Sequence, residues 1–474
     1  MLNQIKFCGQ LMKRHKYLVL FILAITFGAA PQYGNAQEGP VLKLDQAIKM
    51  ALQTDTDLIV ADHNLTKAKL AVDLAKINNL PSASGDADAN DYFKDNDTSR
   101  NLQLKVEQTI PTKWHLYGTD TATDVETKRW AVNKSEAALR IARAETVYEV
   151  TNLYFSALKA LKNLEYQQLV VGYAREKAKY NKLQLQYGKI TKTTQLTAEN
   201  EFTKAKHELE KTRQSYQLAL KKLASQIGVA ASQKLTLDQS LLTVIPDKID
   251  YEKEKRRAIT NRPEVIQYQM ELKSAEQEWA VAKNNGLPTL DLSFQNRDKL
   301  QSFDTKYDFL SGDFSWSTAW QKSYSGTDDE TMENFNFEDM FGSKRRKISL
   351  TLTLDLDFGS ASNKTKQAYY TMESAQRNLE QAYQDIALEI DEAASDYEGA
   401  LVTLNNNKDG IPLYQKTVEL LQMQLKMRMT TALELKKAQL DLADCQTDVA
   451  TATCDLLIAN QKLQLKLGQL YDRE

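Results

Sequence analysis

The chain is written twice. Sliding the sequence against itself by 207 residues sets Leu80-Pro81 on Leu287-Pro288, Ala75-Lys76 on Ala282-Lys283, Asn78 on Asn285, Ala68 on Ala275 and Ala51 on Ala258. Further along the offset becomes 240, with Ala198 on Ala438, Ala219 on Ala459, Leu223 on Leu463 and Gly228 on Gly468. The difference between the offsets, 33 residues, is a net insertion in the second copy that falls between Gln295 and Lys347. Each unit must therefore fold in the same way and pack on its twin. The order is helix, strand, loop, strand, long helix, turn, helix, given once over 37–240 and again over 241–474.

The helical parts are long. With 17 Gly and 8 Pro in 474 residues, the chain has roughly half the usual share of both punctuating residues. From Gly118 to Tyr187 it has no proline and is rich in Ala, Leu, Lys, Glu and Gln, all good helix formers. About 70 residues at 1.5 Å each reach ~105 Å. Tyr187-Gly188-Lys189-Ile190-Thr191 breaks the pattern, so the first hairpin spans 118–228 and the second 360–468. Helices this long and this rich in Ala must pack lengthwise on neighbours, and taken alone they describe a coiled-coil rod. Asn405-Asn406-Asn407-Lys408-Asp409-Gly410-Ile411-Pro412 is expected to interrupt the second long helix, because Pro removes a helical hydrogen bond.

The short segments have a different period. Ile348, Leu350, Leu352, Leu354, Leu356 and Phe358 alternate with Ser349, Thr351, Thr353, Asp355 and Asp357, the pattern of a strand with one apolar face. Its length suits an outer-membrane crossing. Leu290, Leu292 and Phe294 alternate likewise, as do Leu102, Leu104, Val106 and Ile110, while Ala83, Gly85, Ala87 and Ala89 keep the phase with small residues. The predicted strands are about 82–90, 102–110, 289–295 and 347–358. If the apolar faces meet lipid, Asp86, Asp88, Lys105, Glu107, Asp291, Asp355 and Asp357 point inward. Six acids against one lysine give a charge of −5 per chain, a lining that draws cations; the bland alternative is a solvated sheet face. Four strands cannot close a membrane barrel, since open edges fail in hydrocarbon. Two chains would give eight strands, a barrel filled by side chains; three would give twelve and room for a channel.

Mean hydropathy of −0.52 excludes a polytopic helical membrane protein, and 61 Lys+Arg against 63 Asp+Glu exclude bulk nucleic-acid binding. Lys13-Arg14-His15-Lys16, the apolar run Tyr17 to Phe27 and Gly34-Asn35-Ala36 before Gln37 read as a secretory signal over 1–36, with an uncleaved anchor as the alternative. Cys8 precedes the apolar core and no cysteine sits at the cleavage site, so no lipid anchor is encoded. Cys445 and Cys454 lie on opposite faces of one helix and cannot pair; they read as small buried residues.

A signal peptide, then Leu44-x-x-Ala47-x-x-x-Ala51-Leu52, a Leu80-Pro81 stop, an alternating strand pair, a Tyr154-Phe155 helix, a Tyr187-Gly188 turn and Leu223 to Gly228, given twice, resemble the TolC-type outer membrane efflux proteins. Leu354-Asp355-Leu356-Asp357-Phe358-Gly359 is similar to the strand end that leads into the family's second long helix. The resemblance implies a mainly α fold with a transmembrane β-barrel part: a long α-helical barrel plus four β-strands per chain contributing to a twelve-stranded barrel in a homotrimer. It also implies an outer-membrane exit duct reaching into the periplasm of a diderm bacterium. Its partners would be a periplasmic adaptor (membrane fusion) protein, an inner-membrane pump of RND, ABC or MFS type, and outer-membrane lipid; the duct would serve efflux or type I secretion. The hairpin tips would form the gate and the adaptor contact, at Tyr187, Gly188, Thr194, Arg428, Thr430, Glu434 and Lys437. Only Glu434 keeps an acid where the family has gate carboxylates, so a constriction here rests on Glu434 with Lys437 or on packing.

Residues 91–101 and 296–346 then lie outside the cell. The longer stretch, read as an extracellular loop insertion, carries Phe303, Tyr307, Phe309, Phe314, Trp316, Trp320, Tyr324, Phe335, Phe337 and Phe341, too many aromatics for disorder. A structured lid, or contact with lipid or a partner, is expected. Lys344, Arg345, Arg346 and Lys347 sit at the outer rim, either facing anionic headgroups or forming a soluble edge. Met423, Met427 and Met429 invite a soft-metal reading, but Met is common filler in helix contacts. No cofactor or metal is expected. There is no Walker loop, H-E-x-x-H or C-x-x-C, and His63, His115 and His207 lack ligand-spaced partners, so an enzyme is not expected. The competing reading is a periplasmic coiled-coil scaffold without transport, which leaves the alternation at Ile348 to Phe358 unexplained.

Overall fold

The computed structural model describes residues 41–92, 97–112, 124–230, 235–243, 251–284, 287–297, 301–309, 311–325, 345–353 and 359–471. The predicted signal, Lys344, Asp355 and Asp357 fall outside them. Of the two compact units, the smaller has described residues only at Val41 and Thr236 and just before it; the larger, Leu42–Gln233 with Leu237–Glu474, carries everything below.

Its elements repeat at the offsets read from the sequence. Helix α1 (Leu44–Thr54), α2 (Thr56–Asn78), strand β2 (Ser82–Tyr92), β3 (Asp97–Pro111), α3 (Asp124–Gln186) and α4 (Lys192–Gln226) make the first copy. In the second come α5 (Tyr251–Asn261), α6 (Pro263–Asn284), strands β5 (Thr289–Arg297), β6 (Gln301–Asp308), β7 (Asp313–Ser325) and β8 (Arg345–Thr353), α7 (Ser360–Lys426) and α8 (Ala432–Lys466). Two-residue strands β1 (Val41–Leu42) and β4 (Thr236–Leu237) pair separately.

Buried positions fall seven apart: Leu58, Leu65 and Val72 on α2, Ala137, Ala144, Thr151 and Leu158 on α3, Ile390, Tyr397 and Leu404 on α7, and Cys445, Ala452 and Ala459 on α8. A seven-residue repeat on straight helices winds them into left-handed pairs, and the small members let the axes approach. Cys445 and Cys454 are buried and free. Burial pushes the Cys454 thiol up to about 12, which keeps it protonated and unreactive.

The expected break at Asn405–Pro412 does not occur: α7 runs on with Pro412 inside it. Packing overrides the lost hydrogen bond. The Cys445 thiol of α8 donates to the Asn407 carbonyl at 3.6 Å and the Asn407 amide donates to the Asp448 carbonyl at 3.3 Å. A Cβ at Gly410 would sit 3.3 Å from the Cys445 sulfur, so glycine lets the partner helix in beside the proline.

Two joints tie each short helix pair to its long hairpin. In the first copy Asp55 caps α2, accepting from the Asp57 amide at 2.9 Å, from the Thr146 hydroxyl at 2.9 Å and from Gln226 at 3.1 Å. Buried Tyr154 of α3 donates to the Leu42 and Asp238 carbonyls, and burial raises its pKa to about 12. In the second copy the place of Asp55 belongs to Arg262, whose side chain is 4% exposed and pairs with Glu264 at 2.5 Å and Glu389 at 3.0 Å. Lys466 bonds Glu389 at 3.0 Å and Tyr471 donates to Glu264 at 2.8 Å. Burial alone would raise the Glu264 carboxyl, but its hydrogen bonds with Arg262 prevail and hold it below the usual range.

Candidate functional site

Among the described residues six strands, not four, form the main sheet, in the order β2-β3-β7-β6-β5-β8 with antiparallel neighbours. The stretch 296–346, expected as a loop insertion, is in part regular structure: β6 and β7 lie within it. They form because its aromatics alternate, Phe303-x-Thr305-x-Tyr307 and Phe314-x-Trp316-x-Thr318-x-Trp320, the same period-two pattern that defines the other strands. Gly312, at φ +74, turns the chain between them, and its amide donates to the Asp308 carbonyl at 2.9 Å. Asp97–Asn101, expected outside, also belong to the sheet as the start of β3.

The register assigns each side chain to a face. Directly opposed residues of antiparallel strands share a face, so Gly85, Leu104 and Trp320 line up across β2, β3 and β7. Ile110, Phe314, Tyr307, Leu292 and Leu350 do so across β3, β7, β6, β5 and β8. One apolar face thus runs across all six strands, and in the single chain Ile348, Leu350 and Leu352 are 74%, 66% and 61% exposed. Tyr307 and Phe309 meet edge to face with centroids 4.8 Å apart, and Trp316 donates from its indole to Gln108. Aromatics at one edge of an apolar band are what a membrane interface favours.

The opposite face is polar. Asp86, Lys105, Glu107 and Asp291 lie on it as expected from the alternation, joined by Ser293, Asp304, Lys306, Asp308, Asp313, Ser315, Ser317 and Lys347. Asp88 pairs through its backbone with Asn101; its side chain, like that of Arg345, lies outside the described residues. Lys105 pairs with Glu107, and Lys306 with Asp291 at 3.2 Å. Among the described residues the polar face therefore carries six carboxylates against three lysines; β6 and β7 add Asp304, Asp308 and Asp313 against Lys306 alone. Arg346 and Lys347 are exposed at the end of β8.

At the other end of the hairpins the tips share one fold. Both long helices end in a left-handed residue, Gly188 at φ +67 and Arg428 at φ 61. Lys189 N–H reaches the Gln184 carbonyl at 2.9 Å and Met429 N–H the Gln424 carbonyl at 2.8 Å, which is the Schellman closure. Thr191 caps α4 and Thr431 caps α8. The two depart at the third residue. Thr194 hydrogen-bonds the Thr191 hydroxyl at 3.0 Å. Glu434 instead completes a capping box, accepting from the Thr431 amide at 3.1 Å and from the Thr430 hydroxyl, and these bonds, Thr430 first, hold its carboxyl below the usual range. Lys437 turns away from Glu434 to Asp441 at 2.6 Å. Tyr187, Met427 and Met429 stand 77%, 62% and 73% exposed, a paired apolar cap on the tips.

The sequence missed Arg262 and its partners. The signal was present, since the 207-residue offset places Asp55 opposite Arg262, just before Pro263. Among the described residues no helix is long and apolar enough to cross a membrane.

A family model described as outer membrane efflux protein matches residues 47–229 and 256–469, the two copies. The fold resembles the Campylobacter jejuni CmeC outer membrane channel, with TM-score 0.65, 14% identity and coverage of 94% of this chain and 92% of that one. It also resembles the open state of the Neisseria gonorrhoeae MtrE outer membrane channel (0.63, 15%, 93% and 95%) and the Vibrio cholerae outer membrane protein VceC (0.62, 15%, 90% and 96%). No curated protein matches it significantly by sequence.

Proposed function

Because the chain belongs to the outer membrane efflux protein family, we propose that it forms the outer-membrane exit duct of a tripartite efflux pump or type I secretion system, working as a homotrimer. The observation that carries this reading is the sheet: one face apolar on all six strands, the other polar, and the outer edges of β2 and β8 without a strand partner among the described residues. Bare edges are not tolerated in hydrocarbon, so β2 of one copy pairs with β8 of the next until the sheet closes. Lipid then meets the apolar face and water the polar one, while the helical hairpins reach into the periplasm. Export rests on the signal read at 1–36.

The duct supplies no energy and performs no chemistry. The exposed Tyr187, Met427 and Met429 with Gly188, Thr194, Arg428, Thr430, Glu434 and Lys437 meet a periplasmic adaptor, behind which an inner-membrane pump drives transport. Carboxylates of the lumen, with Asp355 and Asp357 continuing the β8 alternation, favour cations. Lys344 to Lys347 mark the outer rim beside lipid headgroups.

Single-channel conductance of the purified trimer tests the reading, with Asp355→Asn/Asp357→Asn and Glu434→Ala variants alongside. Discrete cation-selective openings, weakened in selectivity by the double variant and made more frequent by Glu434→Ala, are expected. Silence from every variant, with a protein absent from the outer membrane, would leave the periplasmic scaffold instead.

A further inference from the structure

We propose that the tip of the second hairpin binds a soft monovalent metal ion, Cu(I) or Ag(I), through the thioethers of Met423, Met427 and Met429. The site is built within one chain and stands whether or not that chain works as a duct.

Three of the ten methionines fall within these seven residues, whereas α3, α4 and α8 contain none. Methionine between helices usually fills irregular gaps, a role that requires burial. These three stand 57%, 62% and 73% exposed, so their sulfurs are not spent on packing α7 against α8 and are open to a ligand.

The backbone brings them together. Met427 follows Met423 by one helical turn, its amide donating to the Met423 carbonyl at 3.1 Å, and residues so spaced have Cβ atoms about 5 to 6 Å apart. Arg428, at φ 61, then turns the chain back, and the Met429 amide reaches the Gln424 carbonyl at 2.8 Å. A Schellman closure sets the second residue past the helix cap against the fourth before it, here Met429 against Met423. Met423 is therefore the shared neighbour of the other two, and three flexible thioethers gather at the C-terminal end of α7. The partial negative charge of a helix C-terminus favours a cation there. Exposed Lys426 and Arg428 flank the site and oppose a hard ion held by charge, while thioether sulfur selects Cu(I). Ag(I), with the same closed shell, is its redox-inert counterpart.

The first tip is a control within the same molecule. It closes in the same way at Gly188, but the offset of 240 puts Leu183, Tyr187 and Lys189 at the three positions. Leu183 and Tyr187 are exposed as well, so an apolar tip needs no sulfur, yet the second copy has methionine at all three. Among the described residues no cluster of three or more His, Cys, Asp or Glu could hold a metal ion, and the tip faces no competing site of harder ligands.

The test titrates Ag(I), supplied as the nitrate in chloride-free buffer, into the purified full chain carrying Cys8→Ala, Cys445→Ala and Cys454→Ala, which removes the competing thiols. Bound silver is counted by native mass spectrometry and located by amide exchange. One ion per chain is expected, with exchange slowed over 423–430 and unchanged over 183–190. Met423→Leu/Met427→Leu/Met429→Leu, which keeps the apolar volume, should abolish uptake, and each single leucine variant should weaken it by about tenfold or more. Exchange measured without silver shows whether the variant turn is still closed. Leu183→Met/Tyr187→Met/Lys189→Met should add a second ion at the first tip. Equal uptake by the natural and triple-leucine tips, or silver bound with exchange slowed only elsewhere, would overturn the site.

Discussion

Asp55 and Arg262 hold equivalent places in the two copies and carry opposite charges. Each stands between a short helix and a longer one and ties both to a long hairpin. Asp55 works with neutral donors, Thr146 and Gln226, and caps α2 with its own side chain. Arg262 precedes Pro263, which opens α6 and has no N–H to cap. Freed from capping, that position holds a buried cation at the centre of a partly exposed ion network of Glu264, Glu389 and Lys466. The duplicated frame thus fixes where a joint must be, and the local chemistry decides how it is held.

The largest expected effect breaks that comparison at its charged side. Arg262→Met removes the cation and leaves Glu264, half-buried, beside the Tyr471 hydroxyl; losing one partner of a fully buried pair costs about 3 to 5 kcal/mol, and solvent at the two acids lowers this to about 2 to 3 kcal/mol. Asp55→Asn, which keeps an acceptor for the same donors, costs about 1 kcal/mol. Urea unfolding of the solubilised protein, followed by helical circular dichroism, measures both, and an equal or inverted pair of losses would show the joints to be energetically alike.

Next come the glycines that close each copy. Gly228 at φ +69 lies against Thr54, where a Cβ would come within 2.8 Å, whereas at Gly468, φ +79, the nearest atom is 3.5 Å away on the Tyr471 ring. Gly468→Ala pays only the left-handed backbone, about 1 kcal/mol, and Gly228→Ala adds a clash, for about 2 to 3 kcal/mol in all. The same unfolding curves sort them.

At the tips the copies differ by one left-handed residue. Arg428→Gly is expected to stabilise the protein by about 0.5 to 1 kcal/mol, and Gly188→Arg to lose about as much. A neutral Arg428→Gly would mean that its side chain makes up the backbone cost.

The smallest effect is a pH dependence confined to the second tip. The Glu434 carboxyl titrates lower in the folded protein than its ordinary 4.5, so its capping contribution is fully present above about pH 4.5 and is lost as pH falls through the lower folded value. Amide-exchange protection in the first turn of α8 should weaken over that acid range relative to the first turn of α4, which has Thr194 in the same place. Thr194→Glu should give α4 the same acid sensitivity; identical profiles in both tips of the natural protein would contradict the capping box.

Much of this was legible in the sequence because periodicity and duplication are local signals. The offsets of 207 and 240 place α5 and α6 on α1 and α2, and Arg428 and Gly468 on Gly188 and Gly228. The strands β5 and β8 declare themselves by strict alternation. What did not show were features that depend on a neighbour. Pro412 reads as a break until α8 is seen packed against Gly410 and Asn407, and the aromatics at 303–320 read as a lid until their phase is compared with β3. Glu434 and Lys437 look like a pair by spacing, yet each bonds elsewhere, because the capping box and the i,i+4 contact to Asp441 are nearer.

The central claim is that one face of the sheet meets lipid and the other lines a water path. Single cysteines along β8 and β5 test it directly, with a membrane-impermeant thiol reagent applied to intact cells. Ser349→Cys, Thr351→Cys and Ser293→Cys should label, while Ile348→Cys, Leu350→Cys and Leu292→Cys should not, giving an alternation of period two. Uniform labelling of all six would contradict the account and place the sheet in water on both sides.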